Sequence, residues 1–102
     1  MRIAFISDIH GNFTALQAVL ADINSQAVDQ IICLGDTVTL GPQPVEVLNT
    51  LRELKCTYIK GNHDEAVLYP ERAYQYDITD HLIPDLLWCK EKLSMDDLKF
   101  ID

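Results

Sequence analysis

The chain has 102 residues, of which 48% are apolar and 24% charged. This length and composition suit one small domain with its own core and exclude a disordered chain. Sixteen acidic side chains against eight basic ones give a net charge of -8, the wrong sign for general binding to nucleic-acid phosphates.

The chain shows no targeting or membrane signal in its sequence. The apolar run at its start is too short for a signal peptide, and no later run approaches the roughly 20 apolar residues that cross a bilayer. Three cysteines, Cys33, Cys56 and Cys89, cannot all pair within one chain. Reduced thiols are the simplest interpretation, and they predict a cytoplasmic protein without a membrane partner.

Apolar runs alternate with amphipathic segments over the first 61 residues. A buried strand is predicted over residues 2–7, then a helix capped by Asn12 and ending near residue 24, then a second buried strand over residues 31–34. A second helix begins near Pro44, and a third strand covers residues 56–59. The apolar stripes of the helices are Leu16, Val19, Leu20 and Ile23, and Val47, Leu48, Leu51 and Leu54. The order predicts an α/β fold, a parallel βαβαβ unit with right-handed crossovers.

The pattern changes after residue 61. Residues 84–93 indicate a helix, and Ser94 with Asp97 forms an acidic variant of the capping box before another helical turn or two. Residues 65–83 show no clear period. We therefore expect a mainly helical tail over residues 69–102.

Polar side chains follow each predicted strand at the point where it ends. Asp8 and His10 follow the first strand, Asp36 follows the second, and residues 61–64 follow the third. Because the carboxyl ends of parallel strands meet at one edge, where open α/β folds bind ligands, we expect these side chains to share a crevice. Carboxylates, imidazoles and a carboxamide suit a divalent ion such as manganese, zinc, iron or magnesium.

Each of these groups alone has a plainer interpretation. Asp8-x-His10 occurs often by chance, while Gly35-Asp36 and Gly61-Asn62 are also compatible with ordinary turns. Together and in this order, each after a predicted strand, they form a specific pattern.

That pattern resembles the motifs of the calcineurin-like metallophosphoesterases over residues 1–68. The matching segments are Ser7-Asp8-Ile9-His10-Gly11-Asn12, Gly35-Asp36-Thr37-Val38-Thr39-Leu40-Gly41-Pro42 and Gly61-Asn62-His63-Asp64. The resemblance implies one domain over residues 1–102, the amino-terminal half of a four-layer α/β/β/α sandwich. Residues 1–68 would carry the metal site, and the carboxyl-terminal part of the domain would be absent.

The resemblance also implies a dinuclear metal site. Asp8 and His10 would hold the first ion, Asp36 would bridge the two ions, and Asn62 would hold the second. The ions would be manganese, iron, zinc or nickel.

His63 and Asp64 are the catalytic residues that the resemblance implies. A hydroxide that bridges the ions would attack a phosphate mono- or diester. His63 would protonate the departing alkoxide or stabilise the transition state, and Asp64 would orient His63. A small phosphate ester is the implied substrate.

The chain departs from some members of the family. The Ser/Thr protein phosphatases and diadenosine-tetraphosphate hydrolases carry Asp-Arg-Gly soon after the second motif begins, whereas residues 37–42 contain no arginine. The chain looks more like the small bacterial phosphodiesterases, which argues against a phosphoprotein substrate.

Family members also continue past this length, with further histidines that complete both metal sites. Besides His10 and His63 this chain has only His81, which no glycine precedes and which we interpret as a surface residue. Asp36 and Asn62 alone would remain for the second ion. We expect the 102 residues by themselves to hold at most one ion weakly and to be inactive.

Two other classes of protein stay open. One is a non-catalytic scaffold or binding module with an incomplete metal site. The other is a flavodoxin-like or receiver-like domain with one acidic pocket, which fits the order of elements but leaves Asn62 and the two histidines unexplained. An uncovered sheet edge would also allow self-association.

Overall fold

Three short parallel strands form the sheet in the computed structural model, which describes residues 1–102. The strands are β1 (Ile3–Ile6), β2 (Gln30–Cys33) and β3 (Thr57–Tyr58), in the spatial order β1-β2-β3. Ile6 pairs with Cys33, and Cys33 pairs with Tyr58, so all three strands end at the same edge. This confirms the predicted parallel βαβαβ unit, with strand ends within two residues of those predicted.

Two helices connect the strands, α1 (Phe13–Asn24) and α2 (Pro44–Leu54). Asn12 caps α1 as predicted, because its side-chain oxygen accepts a hydrogen bond from the amide of Ala15. Pro44 occupies the first position of α2, where its missing N–H removes no helical hydrogen bond. The two helices contact each other and therefore lie on the same face of the sheet.

The prediction that β1 is a fully buried strand, with both of its faces covered, is wrong. Ile3 is 42% and Phe5 62% exposed, whereas Ile6 is only 8% exposed. Since alternate residues of a strand face opposite sides, this is the pattern of a strand covered on one face. β1 is an edge strand and both connecting helices share one face, which leaves the side chains of the other face open. In α1 likewise only Leu16 of the predicted stripe is buried.

The chain after β3 consists of helices. Ser94 and Asp97 form the predicted capping box at the start of the last one. The segment without a clear period contains two stretches of 3-10 helix. The elements are α3 (Asn62–Leu68), 3-10 segments at Pro70–Tyr76 and Asp80–Leu82, α4 (Ile83–Lys92) and α5 (Met95–Ile101).

Helix α2 lies at the centre of the molecule, where it contacts α1, α4 and α5. Its residues Val47, Leu48 and Leu51 are fully buried, which confirms most of the predicted stripe, while Leu54 is 38% exposed. None of the helices combines the length and apolar character that crossing a membrane requires.

Candidate metal centre

The ends of β1 and β2 bring Asp8, His10 and Asp36 together. One ligand atom of each residue lies within 4.8 Å of those of the other two. Nε2 of His10 is 3.5 Å from Oδ1 of Asp8. The structure therefore gathers, in one cluster, the two residues predicted to hold the first ion and the residue predicted to bridge.

All three residues of this cluster have a left-handed backbone. Their φ angles are 55° at Asp8, 48° at His10 and 56° at Asp36, a conformation that is uncommon without glycine and costs roughly 1 kcal/mol or more for each residue. The amide of Asp8 donates to the carbonyl of Gly35 at 3.1 Å, and the amide of His10 donates to the carbonyl of Asp36 at 3.0 Å. Because the two turns are hydrogen bonded to each other, the ligand positions are fixed by the fold.

Two glycines allow the loops of the site to approach each other. A Cβ atom on Gly41 would overlap the carbonyl oxygen of His10, and one on Gly61 would overlap the carboxylate of Asp36. Any other residue at either position would push the loops apart.

Asp36 also contacts the third loop, which carries Asn62. Its Oδ1 accepts a hydrogen bond from the amide of His63 at 2.9 Å. Asn62 is exposed, and its Nδ2 donates to the carbonyl of Tyr76 at 2.8 Å. This bond fixes the orientation of the carboxamide and leaves its oxygen, the atom that binds metal ions, without a protein partner.

The imidazole of His63 lies beside that of His10. The two rings meet edge to face with centroids 5.0 Å apart. Nδ1 of His63 is 2.9 Å from Oγ1 of Thr39, while its Nε2 makes no hydrogen bond to the protein. Burial lowers the pKa of His63, and the Asp36 carboxylate opposes that shift.

Asp64 is fully buried and holds the second and third loops together. Its carboxylate accepts four hydrogen bonds, from the amides of Asp36, Thr37 and Gly61 and from the hydroxyl of Tyr58. Burial raises the pKa of Asp64, and these hydrogen bonds oppose the shift. None of the four bonds reaches the imidazole of His63, so the orienting role predicted for Asp64 stays a prediction.

Thr39 is the residue of this site that the sequence did not single out. It is 1% exposed and supplies the hydrogen-bond partner of His63. A single threonine does not by itself indicate a functional site, and only its position inside the second motif could have suggested a role. His81, by contrast, is exposed, with Nε2 3.4 Å from the hydroxyl of Thr79, as predicted for a surface histidine.

The parallel sheet and its connecting helices place the chain among the α/β proteins, and the carboxylates and imidazoles at the strand ends form a candidate metal site. The sequence profile of the calcineurin-like phosphoesterases matches residues 1–102. The chain belongs to the calcineurin-like phosphoesterase family.

Individual curated proteins are similar to most of the chain. The chain is 41% identical over 100 residues to an uncharacterized protein of Methanocaldococcus jannaschii, covering 98% of this chain and 40% of that protein. It is 35% identical over 88 residues to a symmetrical bis(5'-nucleosyl)-tetraphosphatase of Baumannia cicadellinicola, covering 82% of this chain and 31% of that protein.

A solved structure supports the same relationship. The crystal structure of a metallophosphoesterase from Sphaerobacter thermophilus matches with a TM-score of 0.77 and 34% identity, covering 99% of this chain and 40% of that one. The chain thus spans less than half the length of each of these proteins.

Proposed function

We propose that the protein hydrolyses a small phosphate ester, a mono- or diester, in a reaction that requires two divalent ions. The observation that carries this proposal is the cluster of Asp8, His10 and Asp36, whose ligand atoms lie within 4.8 Å of one another. Membership of the calcineurin-like phosphoesterases supports it. Ligands from outside these 102 residues are part of the proposal, since the relatives are more than twice as long.

The donor atoms of the cluster fit a divalent ion. Two carboxylates and one imidazole form a hard-to-borderline set that suits manganese, iron, zinc or nickel. Nδ1 of His10 is 3.4 Å from the carbonyl of Val38, which only accepts, so the ring proton belongs on Nδ1. Nε2, beside Asp8, is then unprotonated and able to bind an ion.

The second ion would have fewer ligands in this chain. Asp36 would bridge, and Asn62 has its amide nitrogen held and its oxygen free. Two protein ligands are fewer than transition-metal sites normally have, which is why we propose that further residues complete this site. When bound, the ions would polarise the phosphoryl group and lower the pKa of a coordinated water.

The remaining residues of the site have roles in positioning and proton transfer. Nε2 of His63 is free of protein partners, and its N–H is the group that would donate a hydrogen bond or a proton to the departing oxygen of the ester. The backbone amide of His63 fixes the carboxylate of Asp36. Asp64 holds the loops of both residues in place.

The cysteines support a reducing compartment, and we place the protein in the cytoplasm. All three thiols are free. Cys33 and Cys89 are buried, and burial raises the pKa of each thiol to about 11. Neither thiol is therefore a nucleophile at neutral pH.

The proposal is tested by hydrolysis of bis(p-nitrophenyl) phosphate and p-nitrophenyl phosphate by the protein in its natural length with added manganese. We expect Asp36→Asn to lower turnover by more than about 100-fold, since losing even the outer partners of metal ligands costs 10- to 100-fold. Asp96→Asn, the same change at an exposed carboxylate of α5, serves as the matched control and should leave turnover intact.

Unchanged turnover in Asp36→Asn would overturn the proposal. Tight binding of manganese without hydrolysis of either ester would instead favour the non-catalytic binding module.

A further inference from the structure

Thr39 lies between the two imidazoles of the candidate metal centre. Its Oγ1 is 2.9 Å from Nδ1 of His63 and 3.5 Å from Nδ1 of His10. The side chain is only 1% exposed, so water does not compete for the hydroxyl. One buried hydroxyl group therefore faces the same nitrogen of both rings.

The backbone of Thr39 is strained in a way that threonine rarely tolerates. Its φ is 72°, and Leu40 after it has a φ of 70°. Positive φ is a genuine outlier for a β-branched residue, whereas glycine would adopt it freely. The strain is held from outside the turn, because the amide of Leu40 donates to Oδ2 of Asp85 at 2.7 Å. A strained, buried residue at such a site points to a role for its side chain.

The protonation of His10 decides what the hydroxyl can do. Nδ1 of His10 lies 3.4 Å from the carbonyl oxygen of Val38, an atom that only accepts hydrogen bonds. A proton on Nδ1 satisfies this contact. The same proton faces Oγ1 of Thr39, so the hydroxyl acts as an acceptor toward His10 and keeps its own proton for another partner.

Nδ1 of His63 is that partner. A hydroxyl has one proton to donate, and the 2.9 Å contact with His63 is the shortest that Thr39 makes. Neutral imidazole carries one proton, and the nitrogen that accepts a hydrogen bond is the unprotonated one. If Nδ1 accepts from Thr39, the proton of His63 resides on Nε2, the nitrogen that has no protein partner.

We propose that Thr39 is a positioning residue whose hydroxyl donates to Nδ1 of His63 and thereby places the imidazole proton on Nε2. The functional part of this inference rests on the proposed hydrolysis, in which the neutral ring of His63 would direct its Nε2–H at the departing oxygen and stabilise the negative charge that develops there by a hydrogen bond. In this role Thr39 acts through His63, the shortest hydrogen-bond contact of its hydroxyl.

The tautomer of His63 is measured directly by two-bond ¹H–¹⁵N correlation of the imidazoles in the metal-free protein of natural length. A His81→Asn background removes the exposed third histidine from the spectrum, and a pH of about 8 keeps the ring of His63 neutral, because burial lowers its pKa. We expect a protonated Nε2 and an unprotonated Nδ1 in His63. A proton on Nδ1 of His63 would overturn the proposal without any further variant.

Two variants separate the hydroxyl from the rest of the side chain. Thr39→Val keeps the branched shape and the strained backbone but removes the hydroxyl, and we expect His63 to populate both tautomers. Thr39→Ser keeps the hydroxyl and should retain the tautomer of the natural protein. Identical tautomers in Thr39→Val and the natural protein would contradict the assignment, and backbone amide spectra establish that each variant is folded.

Kinetic measurements on the same variants test whether the tautomer of His63 affects the proposed hydrolysis. With the activated phosphate esters and manganese, Thr39→Val should lower kcat by about 10- to 100-fold, as loss of an outer hydrogen-bond partner does elsewhere. KM should change little, and Thr39→Ser should restore most of the rate. An unchanged kcat in Thr39→Val would overturn the role in proton placement.

The two proposals fail in distinguishable ways. If the natural protein hydrolyses neither ester, the proposed function fails, while the spectra still report the tautomer of His63. If the natural protein is active but Nδ1 of His63 carries the proton, only the role of Thr39 fails.

Discussion

Asp64 is the residue on which the loops of the site depend. Its Oδ2 accepts hydrogen bonds from the amides of Asp36 and Gly61, both at 2.9 Å, and from the hydroxyl of Tyr58 at 2.8 Å. Because the proton of Tyr58 goes to Asp64, the hydroxyl of Thr37 donates to Tyr58 in turn. Burial raises the pKa of the Tyr58 hydroxyl, so this group keeps its proton and acts as a donor.

Replacing this carboxylate should destabilise the protein more than removing any one of its donors. Asp64→Ala leaves several buried donors without a partner, and we expect a loss of about 3 kcal/mol in the free energy of unfolding. Tyr58→Phe removes one donor and should cost about 1 kcal/mol. Urea denaturation measures both, as a shift in midpoint at constant slope. A fully stable but inactive Asp64→Ala would instead mean that Asp64 acts on His63.

At the scale of elements, α5 supports the site from a distance. Ser94 and Asp97 cap each other's amides at 3.1 and 3.0 Å, and Asp97 also pairs with Arg52 of α2 at 3.0 Å. The helix places Phe100 against the ring of Tyr58, with centroids 4.9 Å apart. Through Tyr58 this packing reaches Asp64 and the loops that it holds.

The capping box predicts that substitutions in the first turn of α5 lower the free energy of unfolding by different amounts. Asp97→Ala removes a cap and the partner of the partly exposed Arg52, and we expect a loss of about 2 kcal/mol, roughly 1 from the cap and 1 from the ion pair. Ser94→Ala should cost about 1 kcal/mol. Asp96→Ala changes an exposed carboxylate in the same turn and should cost little. Thermal or urea unfolding compares the three, and equal losses in Asp96→Ala and Asp97→Ala would show that the buried contacts do not matter.

The elements that the sequence predicted well are those with a local signal. Asn12 caps α1 and Pro44 begins α2 because each satisfies or avoids an unpaired amide at a helix start. The open face of β1 was missed because a continuous apolar run does not tell which of its faces is covered. The 3-10 segment at Pro70–Tyr76 has three residues per turn and so lacks the period of an α-helix.

The residues of the site likewise fall into those that the sequence predicted and those that it did not. The strand ends predicted that Asp8, His10 and Asp36 would meet, since parallel topology alone brings them to one edge. The role of Thr39 could not be predicted, because its contact with His63 depends on a positive φ that neighbouring loops impose. Tertiary contacts of this kind cannot be inferred from the residue types alone.

At the scale of the whole molecule, the net charge is -8, and three of the carboxylates that contribute to it lie close together at the site. Asp8 and Asp36 offer ligand atoms within one cluster, and the buried Asp64 lies next to Asp36. Like charges at this distance repel each other and oppose the compact state. A bound cation would relieve that repulsion, so metal binding and stability should be linked.

Asp36→Asn should therefore separate the stability of the metal-free chain from its response to manganese. The amide oxygen of Asn can still accept from the amide of His63, and one charge is removed, so without metal we expect a change of less than about 1 kcal/mol. An ion at 100 times its dissociation constant stabilises by about 2.7 kcal/mol, which raises the unfolding temperature of the unsubstituted 102-residue chain.

Calorimetric titration of the unsubstituted 102-residue chain should then find at most one weakly bound manganese ion, because only the cluster of Asp8, His10 and Asp36 has three protein ligands. Asp36→Asn should bind none and show no thermal shift, while Asp96→Asn should behave as the unsubstituted chain does. Two tightly bound ions would mean that this chain supplies ligands beyond the cluster and Asn62. A thermal shift that survives in Asp36→Asn would place the bound ion elsewhere on the acidic surface.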